Sequence, residues 1–367
     1  MDTVKNLQAS NVPSSLSQED EEVFTSGLHV CSSEVFSHAL SNCIQLGLFD
    51  IIAEAGPSAY LTATEITAQL PTKNPDAVSM IDRMLRLFSC HSLLNSSLKT
   101  VADDVVETRY GLSPIGHLFV RKKDGVTMAA CFTDYKAWTE AWLHLKDAIL
   151  EGGNPYEKAH GVPIYEHISS DTESVKGFSQ AMDSISSFIM KKVLENYSGF
   201  KGLGSLVDVG GGSGFALNMI TSEYPSISCI NFDLPHVVQE APYHPGVKHV
   251  GGDMFLDIPS ADAIMIKEVL HNWGNEDCVK VLKNCYEALP KGGKVIVVSH
   301  VMPEVVGSSN AAAKYVCQLD VMMLLFGGGK ERTEKEFKAL GKAAGFSGFQ
   351  LICFAAYNAV AVMEFYK

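Results

Sequence analysis

Short apolar runs alternate with helix-patterned segments from about residue 203 onward. These runs cover residues 205–209, 228–232, 247–250, 262–266 and 293–298. Strands separated by helices are typical of βαβ units that build a parallel sheet. The last two runs, 349–354 and 359–365, are separated by a short polar break and are expected to close the sheet as an antiparallel pair. The pattern therefore predicts an α/β, Rossmann-like domain with a mixed, mostly parallel sheet over 203–367.

The residues before this sheet have a mainly helical pattern. Thr62 and Glu65 have the spacing of a capping box, and residues 81–88 place apolar side chains at helical intervals. A polar stretch follows and predicts a short hairpin, so this part is expected to form a winged-helix-like unit. We predict a disordered tail over 1–20, a helical winged-helix-like dimerisation domain over 21–150, and a helical connector over 151–202 that contributes to a substrate pocket.

Composition narrows the function further. The chain has 367 residues, 46% of them hydrophobic and 19% charged, so it can bury a sizeable core. Its net charge of -13 argues against nucleic-acid binding, including by the winged-helix-like unit, for which dimerisation is the expected role. The apolar stretch 351–363 is too short and too interrupted to span a bilayer, so no membrane partner is expected.

The cysteines point to a reducing compartment. All nine are scattered and none belongs to a C-x-x-C pair, so we expect buried, reduced thiols, a cytoplasmic protein and no zinc site. The polar, acidic N-terminal residues also carry no apolar stretch typical of a signal peptide.

Four glycines within five positions follow the apolar run 205–209. The dinucleotide fingerprint G-x-G-x-x-G fits neither register, because its last position falls on Phe215 or on Leu217. The pattern is instead Asp-x-Gly-x-Gly-x-Gly, beginning at Asp208 and including Gly210 and Gly212. Glycines after a strand let the backbone pass close to a ligand. The alternative is a glycine-rich turn without a ligand.

Polar side chains also end the next three strands of the predicted sheet. Asp233 lies about twenty residues past the glycines, where an acid can accept both ribose hydroxyls. The alternative is a helix N-cap, which the preceding glycine loop makes the weaker explanation. Asp253 can accept from an adenine amino group, and Met254 can pack on the ring. Lys267 ends the fourth strand and either meets the adenine or extends to solvent. Carboxyl ends of parallel strands meet at one edge, which predicts a nucleoside-like ligand there.

His271 follows the fourth strand at the same edge. A lone histidine is more often structural than catalytic. Here, an imidazole with a pKa near 6.5 suits the removal of a proton from a weakly acidic phenol, whose pKa is about 10. His271 is therefore the candidate general base.

These motifs together resemble the plant small-molecule O-methyltransferases of the caffeic acid O-methyltransferase type, which have a class I methyltransferase domain. The resemblance is carried by residues 82–87, 206–214, 230–236, 249–255, 271–273 and 329–333. It implies a homodimer, S-adenosylmethionine as methyl donor, no metal, and an N-terminal domain that closes the partner's substrate pocket. By this resemblance the cofactor would be held by Asp208, Gly210, Gly212, Asp233, Leu234, Asp253, Met254 and Lys267.

The catalytic segment departs from the family at one position. The family brackets its histidine with two acids, of which one matches Glu331 and the other falls on Ser299. An acid orients the imidazole and stabilises imidazolium, whereas a serine carries no charge. His300 is expected to face the other side of the strand and to be a poor substitute. The resemblance thus gives His271, Glu331 and Ser299 as the catalytic set.

The acceptor pocket also departs from the family, because its wall 322–327 is more apolar and one residue shorter. By resemblance the pocket would be lined by Phe132, Phe178, Met182, Met322, Met323 and Phe326. The alternative for each is ordinary core packing, which is as good an explanation for Met323 but a weaker one for Phe326.

Three functions remain open from the sequence. The first is O-methylation of a phenolic hydroxyl on a small plant aromatic, of phenylpropanoid or flavonoid type. The second is N-methylation of an arylamine such as anthranilate, which depends less on a charged pair around the base and would tolerate Ser299. The third is a non-catalytic relative that retains the cofactor fold.

Overall fold

The computed structural model describes residues 17–100, 106–122, 125–305, 307 and 311–367. Contacts divide the chain into two compact units between Val120 and Arg121. The domain boundaries expected at residues 150 and 202 stay predictions. Residues 1–16 of the expected tail lie outside the described residues, and the first helix begins at Gln18 with Ser17 as its N-cap.

The first unit combines helices with a small sheet. Its helices are α1 (Gln18–Cys31), α2 (Ser33–Gln45), α3 (Leu48–Glu54), α4 (Ala63–Thr67) and α5 (Ala77–Cys90). Its antiparallel strands are β1 (Leu61–Thr62), β2 (Leu94–Thr100) and β3 (Val106–Leu112), in the order β1-β3-β2. The expected capping box is present, since Thr62 and Glu65 bond each other's backbone N–H at the start of α4. Helices with a hairpin confirm the winged-helix-like expectation.

Helices precede and surround the sheet of the second unit. They are α6 (Tyr135–Trp142), α7 (Leu145–Glu151), α8 (Pro155–His160), α9 (Ile164–Ser169), α10 (Thr172–Asn196), α11 (Phe215–Glu223), α12 (Pro235–Gln239), α13 (Asn275–Ala288), α14 (Ala311–Met322) and α15 (Glu334–Ala344). Short 3₁₀ segments add Gly116–Phe119 in the first unit, and Met128–Phe132, Leu270–Asn272 and Met323–Leu325 in the second.

Seven strands form the large sheet. They are β4 (Ser205–Val209), β5 (Ser228–Asp233), β6 (Val247–Gly251), β7 (Ala263–Lys267), β8 (Lys294–His300), β9 (Gly348–Ala356) and β10 (Val360–Tyr366). Their order is β6-β5-β4-β7-β8-β10-β9, with the pairs from β6 to β8 parallel and β10 antiparallel to both neighbours. The sheet predicted from the apolar runs is confirmed, including its closing hairpin.

The strand order reverses at β4. From there the chain builds outward through β5 and β6, then returns to place β7 on the other side of β4. In such sheets a ligand lies outside the carboxyl ends of the strands at this switch point. Apolar side chains cover both faces, so Val207 and Val297 pack on one side and Leu206 and Val298 on the other. The polar ends of β4, β5, β7 and β8 therefore define one edge.

Among the described residues no single helix is long and apolar enough to cross a membrane; α2 and α3 pass that length and composition test only as a pair, across a 54° bend.

Candidate active site

The glycine loop after β4 is held in a conformation that side chains rarely adopt. Gly210, Gly212 and Gly214 have φ of 70°, 56° and 78°. Gly211 is needed for a different reason: a Cβ there would lie 2.1 Å from Oδ1 of Asn231. The loop ends where α11 begins, at Phe215. The first turn of a helix carries partial positive charge, so the start of α11 is expected to favour an anionic group.

Asp208 ends β4 beneath this loop with its side chain fully enclosed. Neither carboxylate oxygen has a hydrogen-bond partner among the residues that the structure describes. Burial raises the pKa of Asp208 to about 7, with the charge of Lys267 opposing and that of Asp233 adding to the shift. A buried polar group without a partner is costly. A cationic ligand group above the loop would stabilise this enclosed carboxylate through its charge.

Asp233 joins the end of β5 to the glycine loop. Its Oδ2 accepts from the backbone N of Gly212 at 2.9 Å, and its Oδ1 accepts from the backbone N of Leu234 at 2.7 Å. It does not cap the next helix, because Leu234 occupies the N-cap of α12. Each carboxylate oxygen retains a lone pair, so Asp233 can still accept ribose hydroxyls.

The other two strand ends are built differently. Asp253 Oδ1 accepts from the backbone N of Phe255 at 2.8 Å, which fixes the turn containing Met254. Lys267 Nζ donates to the hydroxyl of Ser186 on α10 at 2.9 Å. Its partner in the structure is therefore a side chain of α10, rather than bulk solvent.

Sequence reasoning missed two residues that shape the loop. Asn231, fully buried on β5, donates from Nδ2 to the backbone oxygen of Gly212 at 2.9 Å. Asp183 on α10 accepts from the hydroxyl of Ser213 at 2.7 Å. A polar residue two positions before Asp233, inside an otherwise apolar strand, was the available signal for Asn231. Nothing in the spacing pointed to Asp183.

His271 lies in the 3₁₀ turn after β7, at the same edge. Its Nδ1 is 2.6 Å from Oε1 of Glu331, whose side chain is completely enclosed. The segment carrying Glu331 is bonded to this turn, since the backbone N of Lys330 donates to the oxygen of His271 at 2.8 Å. The buried Arg332 donates to the backbone oxygens of Leu270 and Trp273, both at 2.7 Å. The histidine and its acid are thus held together by backbone contacts.

The electrostatics favour a charged imidazole. Burial lowers the pKa of His271, but the charge of Glu268 and the hydrogen bond and charge of Glu331 outweigh it and leave the pKa above its ordinary value. With Nδ1 bonded to Glu331, the lone pair of the neutral ring lies on Nε2. That nitrogen can take a proton from an acceptor.

The sequence predicted the surroundings of Ser299 and His300 only in part. The hydroxyl of Ser299 is buried and has no hydrogen-bond partner within the described part of the chain, so no hydrogen bond joins it to His271. The expectation that His300 would be a poor substitute for the missing acid stays a prediction, and the partner of His300 in the structure is a further carboxylate. Its Nδ1 lies 2.7 Å from Oε2 of Glu268, and the same oxygen is 3.7 Å from Nδ1 of His271. Glu268, which sequence reasoning missed, lies three residues before the histidine.

Four of the six expected pocket residues meet in one apolar cluster: Phe178, Met322, Met323 and Phe326. Tyr165 joins them, with its ring centroid 5.5 Å from that of Phe326. Met323 is 3% exposed, which agrees with the core alternative for this residue. Phe132 and Met182 lie outside the cluster, and Met182 is 38% exposed.

Comparisons with known proteins agree with the fold and with the class of site that the sequence predicts at this edge of the sheet. A family model described as an O-methyltransferase domain matches residues 142–347, and one described as an O-methyltransferase dimerisation domain matches residues 28–122. The chain belongs to the O-methyltransferase family. It is a methyltransferase whose donor is S-adenosylmethionine, and it carries the dimerisation domain that the resemblance implied.

The similar curated proteins include a caffeic acid 3-O-methyltransferase from Prunus dulcis, 49% identical over 358 residues and 97% of each chain. One from Medicago sativa is 48% identical, also over 97% of each chain. Among solved structures, human N-acetylserotonin methyltransferase in complex with SAM has a TM-score of 0.81 at 23% identity, covering 97% of this chain and 99% of that one. A methyltransferase of calicheamicin biosynthesis has a TM-score of 0.77 at 23% identity, covering 95% and 99%. These two structures support the fold.

Proposed function

We propose that this protein methylates a phenolic hydroxyl of a small plant aromatic of phenylpropanoid type, with His271 as general base. The observation that carries the proposal is the 2.6 Å contact between Nδ1 of His271 and Glu331 at the sheet edge that also holds the glycine loop. Relatives named caffeic acid 3-O-methyltransferase, 48–49% identical, support the acceptor class.

The donor fits the loop that the structure forms. Asp208 places a buried carboxylate that lacks a hydrogen-bond partner in the described chain beneath the loop, Asp233 retains acceptor capacity, and α11 begins where the loop ends. We assign cofactor binding to these groups together with Gly210, Gly212, Leu234, Asp253, Met254 and Lys267. S-adenosylmethionine, when bound there, supplies a methyl group on a positively charged sulfur.

The protein's own part in the reaction is to place the acceptor and take its proton. Nε2 of His271 accepts the hydroxyl proton, and Glu331 stabilises the imidazolium that forms. The proton thereby leaves the oxygen as the oxygen bonds to the methyl carbon, and the donor would depart as a neutral thioether that keeps the electron pair of its former bond to that carbon. The cluster of Phe178, Met322, Met323 and Phe326 supplies an apolar wall for an aromatic ring, and we propose that Phe132 and Met182 complete it.

The test is a matched pair of acceptors. Purified protein with labelled S-adenosylmethionine should methylate caffeic acid and other phenols, and His271→Asn should abolish turnover. Anilines of the same ring pattern serve as the comparison. Turnover of the anilines alone would overturn the proposal, and turnover of neither would favour a non-catalytic relative.

Three further assignments belong to this proposal. The assembly is a homodimer through the matched dimerisation domain, which sedimentation can test. The domain boundaries are those predicted from the sequence, at residues 20, 150 and 202. The location is cytoplasmic, supported by nine free thiols, of which Cys31, Cys90 and Cys131 are exposed, because oxidising compartments favour disulfides.

A further inference from the structure

Glu268 lies between two imidazole rings. Its Oε2 is 3.7 Å from Nδ1 of His271 and 2.7 Å from Nδ1 of His300. Its Oε1 accepts from the backbone N of His300 at 3.0 Å. The sheet explains this placement, because Glu268 directly follows β7, and its own backbone N donates to Val298 on the adjacent strand β8 at 2.9 Å.

A chain of hydrogen bonds keeps this carboxylate ionised. The hydroxyl of Tyr357 lies 2.6 Å from Nε2 of His300. Burial raises the pKa of Tyr357, so the phenol stays protonated. Nδ1 of His300 donates to Glu268; burial lowers the pKa of His300, but the charge and hydrogen bond of Glu268 outweigh it and leave that pKa above its ordinary value. Burial by itself would raise the pKa of Glu268, but the neighbouring imidazoles and Lys267 bring it below its ordinary value.

Both ends of this hydrogen-bond chain have an uncommon backbone conformation. Glu268 has φ of 53°, and Tyr357 and Asn358 have φ of 32° and 53° in the turn between β9 and β10. Left-handed conformations are unfavourable for such side chains and cluster at functional sites. The strain therefore marks the two residues that orient His300 and place the carboxylate beside His271.

We propose that Glu268 is a positioning residue that supplies the second negative charge beside His271, and that it replaces the acid absent at Ser299. The inference rests on the proposed function. At 3.7 Å the carboxylate acts on His271 by charge, while Glu331 makes the hydrogen bond. The family's second acid has moved from the end of β8 to the residue after β7, and His300 and Tyr357 hold it there.

The other charged and titratable groups of this region are Lys267 on β7, Glu331 beside α15, His300 on β8, Tyr315 on α14 and Tyr357 in the β9–β10 turn. Lys267 opposes imidazolium formation, and the two carboxylates favour it. The phenols of Tyr315 and Tyr357 stay neutral, since burial raises the pKa of both. Without the charge of Glu268, Glu331 is the one remaining carboxylate of this group that counteracts the effect of Lys267 on the pKa of His271. That pKa is therefore expected to fall.

The test is Glu268→Gln, which retains the size of the side chain and removes its charge. The acidic limb of the pH profile of kcat/KM reports the pKa of the free base. We expect it to move to lower pH by about one unit or more, in the range known for loss of a charge within 4–6 Å. The kcat for a phenol should fall about tenfold or more, with little change in KM. An unmoved limb with unchanged kcat would overturn the proposal.

Three variants sharpen this test. Glu304→Gln, which removes an exposed carboxylate paired with Lys335, is the matched control and should leave the profile unchanged. Ser299→Glu in the Glu268→Gln background should return the limb toward higher pH. If Glu268→Gln does not fold, Glu268→Asp carries the test, because it retains the charge but withdraws it from Nδ1 and should move the limb the same way by less.

Different measurements would contradict the role of Glu268 and the proposed function. The pKa of His271, followed by NMR without an acceptor, should fall in Glu268→Gln, and an unchanged titration would contradict the role of Glu268 whatever the acceptor is. Absence of phenol turnover by the unaltered enzyme would instead contradict the proposed function.

Discussion

Nδ1 of His271 lies 2.6 Å from Oε1 of Glu331, although the two residues are sixty positions apart in the chain. This contact selects the ring tautomer that leaves a lone pair on Nε2, and its charge stabilises the protonated ring. The orientation of the proposed base is therefore set by the loop between the 3₁₀ segment Met323–Leu325 and α15.

Glu331→Gln should lower kcat by about 10²- to 10⁴-fold, because an amide can hold the ring in the wrong tautomer and cannot stabilise imidazolium. Its effect should exceed that of Glu268→Gln, since only Glu331 makes the hydrogen bond. Steady-state kinetics with a phenol measures it, with Glu304→Gln as control. Similar losses in the two site variants would contradict the division of roles.

Ser299→Ala should leave kcat unchanged and raise the free energy of unfolding by about 1 kcal/mol, because it removes a buried hydroxyl that has no partner in the described chain. Ser299→Glu in the unaltered enzyme should not increase kcat, because Glu268 already supplies the charge. Kinetics and urea unfolding test both variants. A higher kcat in Ser299→Glu would show that Glu268 does not supply the second negative charge beside His271.

Asp208 should make the cofactor-free protein less stable as pH rises. Burial raises its pKa from 3.8 to about 7. Between these values the folded state holds a proton that the unfolded chain releases, so the free energy of unfolding falls from pH 4 to pH 7 and stays low above it.

Asp208→Asn should remove this dependence. At pH 8 it should stabilise the cofactor-free protein by up to roughly 4 kcal/mol, about three pKa units at 1.36 kcal/mol each. It should also weaken S-adenosylmethionine binding about tenfold or more, a difference of 1.4 kcal/mol. Urea unfolding at pH 5 and pH 8 and calorimetric titration measure these effects. Asp257→Asn, at an exposed position, is the control, and an equal response of both variants would contradict the assignment.

Gly211→Ala should disrupt the glycine loop, because its Cβ would lie 2.1 Å from Oδ1 of Asn231 and 2.9 Å from Oδ2 of Asp208. We expect a loss of about 1–3 kcal/mol in the free energy of unfolding and weaker cofactor binding. Gly27→Ala is the control, since a Cβ there meets nothing within 4 Å and lies inside α1. Unchanged cofactor affinity in Gly211→Ala would count against this loop as the binding site.

The sequence by itself determined the sheet, its closing hairpin and the glycine loop, and it predicted His271 as the base. Those features are local: apolar runs mark strands, glycines mark turns, and polar residues at the ends of parallel strands meet at one edge. Glu331 was also found, through a motif that the family shares.

Only the tertiary structure decided what surrounds the base. Strand alternation placed His300 on the face away from Ser299, and nothing in the spacing joined it to His271. A left-handed residue at 268, a strained turn at Tyr357 and the pairing of β7 with β8 bring these side chains together. Such contacts join residues that are far apart in the sequence. They depend on where the tertiary structure places the ends of strands and loops, which local residue spacing does not reveal.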